Sequence, residues 1–300
     1  MPALDAKQLL DPEVIARAEM LGLQARKIVE GYLAGEHQSP FHGFAVEFTQ
    51  HREYSPGDDT RHLDWKVLGR TDRTYIKQYE QETNFVAHLI LDGSESMNYA
   101  SGKIMKLDYA KQVAACLAYL ILLQRDAVAV DVFDTQVHAQ MPRTNNRAAI
   151  HDVLTTLAGF EARERTNIGA TLHTMAQQIR RKGLAILISD CFDDEAKILQ
   201  GIQHLRFAGQ EVILFHVLDP AEIEFPFKGM VEFHGLEGMP KLITRPNEIR
   251  ASYRREFDAF CARLRDGCMR NDTHYVRVNT AQPLAEVLSG YLAHRRRTAR

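Results

Sequence analysis

Phe85-Val86-Ala87-His88-Leu89-Ile90-Leu91 runs directly into Asp92-Gly93-Ser94-Glu95-Ser96-Met97. A short apolar run closed by a turn-forming string reads as a buried strand. The string therefore puts a carboxylate and two hydroxyls on the loop leaving the strand's C-terminal end, where open α/β sheets bind ligands. Asp-x-Ser-x-Ser offers hard oxygen donors two residues apart, which suits a small hard cation such as Mg2+ with coordination positions left for another group. Thr166, in Glu164-Arg165-Thr166-Asn167-Ile168-Gly169, falls in the same kind of position, as does Asp190 after Leu184-Ala185-Ile186-Leu187-Ile188-Ser189. Three loops would then converge on one ion.

Around this strand the chain alternates strand-like and helix-like stretches. Lys106 to Gln124 reads as a helix lying against a sheet, followed by a strand at Ala127 to Phe133 and an antiparallel edge at Gln136 to Gln140. Helix patterns at Arg147 to Leu157 and Gly169 to Arg181 precede the strand Leu184 to Ser189. A helix at Asp194 to Phe207, a strand at Glu211 to Leu218, a helix at Ile249 to Arg265, a strand at Thr273 to Val278 and a helix at Pro283 to Ala293 complete the pattern. It predicts an α/β fold, a doubly wound, mostly parallel sheet with helices on both faces.

Two regions depart from the alternation. Residues 1–39 hold a helical pattern at Asp11 to Glu36, and residues 40–84 read as a small β-rich segment broken by turn residues. Residues 85–293 form the main domain, with Gly- and Pro-punctuated apolar pieces at about 220–246 predicting an inserted β-hairpin or extended loop. Residues 294–300 are a basic tail, read as solvated.

Composition narrows the function. With 37 Lys plus Arg against 39 Asp plus Glu, the net charge is -2, so no basic field points to nucleic acid. The four cysteines, Cys116, Cys191, Cys261 and Cys268, form no Cys-x-x-Cys pair and are expected to be buried thiols in a reduced, cytoplasmic compartment. No apolar stretch is long enough to span a bilayer, so no membrane insertion is expected. His88 and His216, on apolar strands, read as satisfied core residues rather than zinc ligands.

Asp92, Ser94, Ser96, Thr166 and Asp190 resemble the metal-ion-dependent adhesion site of the von Willebrand factor A fold, whose pattern is Asp-x-Ser-x-Ser, then a Thr, then an Asp. The resemblance implies a bound Mg2+, with Mn2+ or Ca2+ as alternatives. It also implies that Ser94 and Ser96 ligate directly, Thr166 directly or through water, and Asp92 and Asp190 partly through water. A partner's carboxylate would complete the coordination shell.

A second string tightens the likeness: Glu47-Phe48, then Tyr54-Ser55-Pro56-Gly57-Asp58-Asp59-Thr60-Arg61-His62-Leu63-Asp64-Trp65, then Arg70-Thr71 and Glu80-Gln81-Glu82. It resembles the signature of a bacterial domain-of-unknown-function family with a von Willebrand A-like fold, typically encoded beside MoxR-type AAA+ ATPases. Such a likeness implies a MoxR-type ATPase partner and client proteins. In the signature itself, Pro56-Gly57 is expected to form a tight turn, with Arg61, Asp64 and Trp65 in a hydrogen-bonded, partly buried corner.

The expected function is thus a non-catalytic, metal-dependent adaptor. A metal-dependent phosphohydrolase is the alternative, since an Asp at a strand end beside Mg2+ also begins aspartyl-phosphate chemistry. Such enzymes carry an acid two residues on, where this chain has Ser94, and no nucleophile elbow or phosphate-cradling loop is present.

Overall fold

The computed structural model describes residues 46–54, 64–71, 73–81, 86–123, 125–162, 167–179, 181–235, 241–288 and 290–291. The expected helix at 11–36, most of the turn signature, Thr166 and the basic tail lie outside these residues. Two compact units divide at residues 84 and 85.

In the smaller unit, β1 (Val46–Glu53) pairs antiparallel with β2 (Tyr75–Gln81). Between them lies a helix that the sequence pattern did not suggest, α1 (Trp65–Thr71). Asp64 starts it: its Oδ1 accepts the N–H groups of Lys66 (2.9 Å) and Val67 (3.2 Å), satisfying donors that a helix N-terminus leaves open. Asp64 is buried as expected, but Trp65 is 67% exposed and is not part of a buried corner. Trp65 is instead the first residue of a helix, on a position that the described chain leaves exposed.

The larger unit is the doubly wound α/β sheet expected from the alternation. In chain order it contains β3 (Val86–Asp92), α2 (Lys106–Leu123), β4 (Ala127–Phe133), β5 (Val137–Thr144), α3 (Ile150–Ala158), α4 (Ile168–Gln178), β6 (Gly183–Ser189), α5 (Glu195–Phe207) and β7 (Gln210–Leu218). After the insertion come α7 (Pro246–Arg270) and β10 (Thr273–Asn279), with helical residues again at 284–288. The strand order is β10-β7-β6-β3-β4-β5, parallel except for the antiparallel edge strand β5.

Burial follows from this layering. Strands β4, β6 and β7 are buried at every position, as a parallel sheet covered on both faces requires. Alternate side chains of β3 face opposite ways: Ala87, Leu89 and Leu91 pack with α2, α3 and the segment at 284–288, while Ile90 packs with α4, α5 and α7. Edge strand β5 instead alternates in exposure and carries Pro142 and Arg143, features that discourage pairing with another chain. All four cysteines are free and buried, as structural thiols should be.

The insertion contains α6 (Pro220–Glu224) and an antiparallel pair, β8 (Val231–Phe233) with β9 (Leu242–Thr244), so the expected hairpin is preceded by one short helix. An Asp219–Glu222 capping box starts that helix. Phe225 then turns left-handed at φ 49°. It stacks on Tyr253 (centroids 4.4 Å apart) and on Phe233 (5.7 Å). Arg250 of α7 fixes the turn by donating from Nε to the Phe225 carbonyl (2.9 Å) and from Nη2 to that of Phe227 (2.5 Å). No helix among the described residues is long and apolar enough to cross a membrane.

Leu89 is fully buried in the central strand and meets helices from two parts of the chain. Leu89→Ala is therefore expected to cost about 2–5 kcal/mol, read as a lower urea midpoint at unchanged slope.

Candidate metal centre

The chain runs outward from β3 through β4 to β5, then returns to lay β6 on the other side of β3. That reversal opens a crevice beyond the C-terminal ends of β3 and β6. Asp92 is the last residue of β3, and Asp190 immediately follows β6. Asp92, Ser94, Ser96 and Asp190 are thereby brought together.

Gly93 continues the strand ladder, its N–H donating to the Phe133 carbonyl at 2.6 Å. The Phe160 ring packs directly on its Cα side, so an added Cβ would lie 2.1 Å from Cε1 and force the ring to shift. The chain then turns through a short 3-10 segment at Glu95–Met97, with the Met97 N–H donating to the Ser94 carbonyl (3.1 Å) and the Met97 side chain fully buried. The turn projects both serine hydroxyls into the crevice.

A chain of short contacts joins these groups. The Ser94 N–H donates to Asp92 Oδ1 (3.0 Å), and the Ser94 and Ser96 hydroxyls are 3.0 Å apart. Ser96 Oγ donates to Asp190 Oδ1 at 3.2 Å. Ser189 donates its hydroxyl to Asp92 Oδ2 (2.6 Å) and accepts the Cys191 N–H (2.8 Å), so one residue orients both aspartate loops. Burial pushes the Asp92 pKa up, the charge of Asp190 adds to this, and hydrogen bonds from Ser189 and Ser94 oppose it; the net value is about 7.

Behind the crevice, His216 holds the Asp190 backbone. The Asp190 carbonyl can only accept, so Nε2 carries the imidazole proton (2.9 Å) and Nδ1 accepts from the Tyr275 hydroxyl (2.7 Å). Burial pushes this imidazole down to about 4, keeping it neutral. His216 is the satisfied core histidine expected from its strand, whereas His88 is only partly buried and lines a surface cavity with Asp131 and Arg143.

The Asp-x-Ser-x-Ser, Thr, Asp pattern does not include Lys106. Its ammonium, 2% exposed, donates to Asp190 Oδ2 and to Glu222 Oε1, both at 2.7 Å. Burial alone would lower its pKa, but the charges of Asp190 and Glu222 and their hydrogen bonds outweigh this and raise it. Asp219 ties the insertion to the same rim, taking the Ser101 N–H (2.8 Å) and the Ser101 hydroxyl. One sequence signal was present: a lysine opening a helix opposes the helix dipole and calls for a nearby carboxylate.

Asp134, just past β4, is a second residue the pattern did not single out. It is fully buried; Oδ1 contacts His138 Nε2 (2.6 Å) and the Gln136 N–H (3.3 Å), while Oδ2 has no hydrogen-bond partner. Its carbonyl accepts the Asn167 N–H at 3.2 Å, linking this rim to the segment that follows Thr166. Asp194 caps α5 through the Ala196 and Lys197 N–H groups.

Among the described residues, no group of three or more His, Cys, Asp or Glu side chains forms a metal cluster. The convergent donors include hydroxyls instead, and their spacing fits a small octahedral ion. Adjacent oxygens around Mg2+ lie about 3 Å apart, and the Ser94–Ser96 and Ser96–Asp190 separations are 3.0 and 3.2 Å. The Ser94–Ser96 and Ser96–Asp190 Oδ1 pairs each have the separation of two adjacent ligands of such an ion.

Residues 50–265 match the family described as "Protein of unknown function DUF58", and the chain belongs to that family. Uncharacterized protein Rv1480 of Mycobacterium tuberculosis (strain ATCC 25618 / H37Rv) is 26% identical over 239 residues, covering 79% of this chain and 75% of that protein. Mb1516 of Mycobacterium bovis matches to the same extent. Among solved structures, BatB from Bacteroides thetaiotaomicron is 18% identical, with a TM-score of 0.48 over 71% of this chain and 100% of its own. The SpRpn10 VWA domain is 11% identical, with a TM-score of 0.40 over 69% and 94%.

Gly93→Ala is expected to destabilise the fold by about 1–3 kcal/mol through overpacking, and by less in a Phe160→Ala background; urea unfolding of the double-mutant cycle checks this. His216 supplies a pH test. Unfolded, it takes a proton near pH 6.5, but folded only near 4, so the unfolded state holds more protons in between. The His216 contribution to stability should therefore fall as pH drops through that window, by about 3 kcal/mol, read as the difference between the native chain and His216→Gln. His216→Gln should lack this component. Asp92, whose shift acts in the opposite sense over the same range, is common to both proteins.

Proposed function

We propose that this DUF58-family chain is a non-catalytic, metal-dependent protein-binding adaptor. Asp92, Ser94, Ser96, Thr166 and Asp190 would hold Mg2+, with Mn2+ or Ca2+ as substitutes. The ion would offer its remaining coordination position to an Asp or Glu side chain of a partner. The observation that carries this reading is the row of buried oxygens from Ser94 through Ser96 to Asp190, spaced as adjacent ligands of an octahedral ion and contributed by two loops.

A binding role is favoured over hydrolysis by the state of Asp92. In aspartyl-phosphate chemistry this carboxylate would have to attack phosphorus. Here it is fully buried, with one oxygen held by the Ser94 N–H and the other by the Ser189 hydroxyl. A carboxylate bound on both sides is suited to orienting donors and balancing cation charge. It is poorly placed to act as a nucleophile.

The MoxR-type AAA+ ATPase remains the proposed partner, acting in assembly or chaperone-like processes on client proteins in the cytoplasm. Support for it is the family signature around Tyr54 to Trp65 together with membership of the family. Ion-mediated docking would couple the two proteins reversibly, because each coordination bond to a partner carboxylate is made and lost without rebuilding either fold.

Ser94→Ala plus Ser96→Ala removes two neutral ligands and leaves every carboxylate in place. Mg2+ binding measured by calorimetry is expected to weaken by roughly tenfold or more, with the far-ultraviolet spectrum unchanged. Capture of a purified MoxR-type ATPase from the same genome should require Mg2+ and fail in excess chelator. Capture indifferent to both changes would sink the reading, and hydrolysis of a phosphoester that depends on Asp92 would favour the enzyme alternative.

A further inference from the structure

Lys106 brings to the crevice a fixed positive charge that the Asp-x-Ser-x-Ser, Thr, Asp pattern does not contain. It opens α2 with its ammonium 2.7 Å from Asp190 Oδ2 and 2.7 Å from Glu222 Oε1, and 5.8 Å from the centre of the Tyr99 ring. Stability alone is a poor reason for such a group. Burying a charged triad costs about as much desolvation as its attractions return, and an apolar side chain of similar size often does as well. Moreover, the location at a helix N-terminus is the end where a cation is least favoured.

Resting on the metal-centre reading above, we propose that Lys106 is the resident counter-cation of the site, weakening metal binding in isolation while making the occupied site receptive to an acidic ligand.

With a divalent ion in place, which favours the ionised form of each carboxylate, Asp92, Asp190 and Glu222 contribute three negative charges, and Lys106 returns one positive charge. A divalent ion then brings the set to neutral. Without Lys106, the same occupied set would carry one negative charge and would repel an incoming carboxylate. Asp219, whose oxygens are engaged by Ser101 and the Ala221 N–H, adds a negative charge of its own that is the same with or without Lys106, so the one-unit difference that the lysine makes is unaffected by it.

The same lysine competes with the ion. It holds Asp190 Oδ2, leaving Oδ1 to face Ser96 and any metal beside it. Two cations on one carboxylate repel each other across a few ångströms, and Glu222 only partly offsets this. Lys106 therefore has opposite effects on the two binding steps, disfavouring the metal and favouring the acidic ligand. A residue that merely props up the loop would, when removed, harm both.

Glu222 provides the complementary lever. Its side chain is 26% exposed and lies in the insertion rather than in the sheet, and its Oε2 also accepts the Asp219 N–H at 2.8 Å, so Glu222→Gln is used with its far-ultraviolet spectrum checked against the native chain. It removes one negative charge and leaves the ammonium. That variant should weaken the metal and strengthen the anion.

The experiment uses the full chain with Mn2+ as metal probe, followed by paramagnetic relaxation of water protons, and acetate as carboxylate probe on the metal-loaded protein. Lys106→Met is expected to bind Mn2+ roughly tenfold more tightly and acetate several-fold more weakly, given unit charges a few ångströms apart in a partly screened site. Glu222→Gln is expected to do the reverse, and it carries the test alone if Lys106→Met does not fold. Mn2+ binding by Lys106→Met but not by the native chain would also support the proposal.

Parallel loss of both affinities in Lys106→Met, or no change in either variant, would overturn it. Failure of the underlying reading looks different. If the native chain and both variants all ignore Mn2+, the metal centre itself is rejected. If the native chain binds Mn2+ through Ser94 and Ser96 yet both charge variants behave like it, only the role of Lys106 falls.

Discussion

The structure of the rim depends on keeping one carboxylate, that of Asp92, sealed at the end of the central strand. Burying a carboxylate is costly unless its oxygens are hydrogen-bonded, and here both are. Each bond constrains a different part of the molecule. The Ser94 N–H fixes the turn that presents two hydroxyls. The Ser189 hydroxyl joins β3 to β6, and by accepting the Cys191 N–H it also sets the path of the chain around Asp190. Gly93 and Phe160 follow from the same requirement, since the strand has to turn immediately beyond Asp92 with a ring packed against its backbone.

Polar groups in this layer are thus held by other polar groups that are themselves buried. His216 binds the Asp190 carbonyl from β7, and Tyr275 binds His216 from β10, so three adjacent strands support one loop. Such a sequence of neutral donors and acceptors makes the oxygen set rigid before any ligand arrives. Preorganisation of this kind lowers the conformational cost of binding.

Much of this was legible in the sequence because it is local. The apolar runs marked the buried strands, and their alternation with helical patterns implied the doubly wound sheet with its antiparallel edge at β5. The spacing of Asp92, Ser94 and Ser96 marked the rim, and Asp190 followed from its strand. Lys106 was not legible, because its carboxylate partners are 84 and 116 residues away and only the folded chain brings them together. Trp65 was misread for a related reason. An aromatic in a motif suggests burial, but a helix begins at that residue and leaves it exposed, while Asp64 beside it is buried and caps the helix. Thr166 lies outside the described residues, and Asn167 beside it is bonded to the Asp134 loop.

A metal–carboxylate contact is strong but undiscriminating, because every exposed Asp or Glu presents the same two oxygens. Selectivity for one partner must therefore come from groups around the ion. Phe192, two residues beyond Asp190, is half exposed, and the insertion exposes Met230, Leu242 and Ile243. The insertion is not free to drift from the rim: Glu222 is bound to Lys106, Asp219 to Ser101, and the Glu222 carbonyl to the Tyr253 hydroxyl at 3.0 Å. Its aromatic interior, Phe225, Phe227, Phe233 and Tyr253, makes it a packed body rather than a loose loop. On the proposed reading the buried oxygens would present an ion that any acidic side chain can bind, and selectivity would fall to the insertion beside them, whose outer face can change without disturbing Asp92.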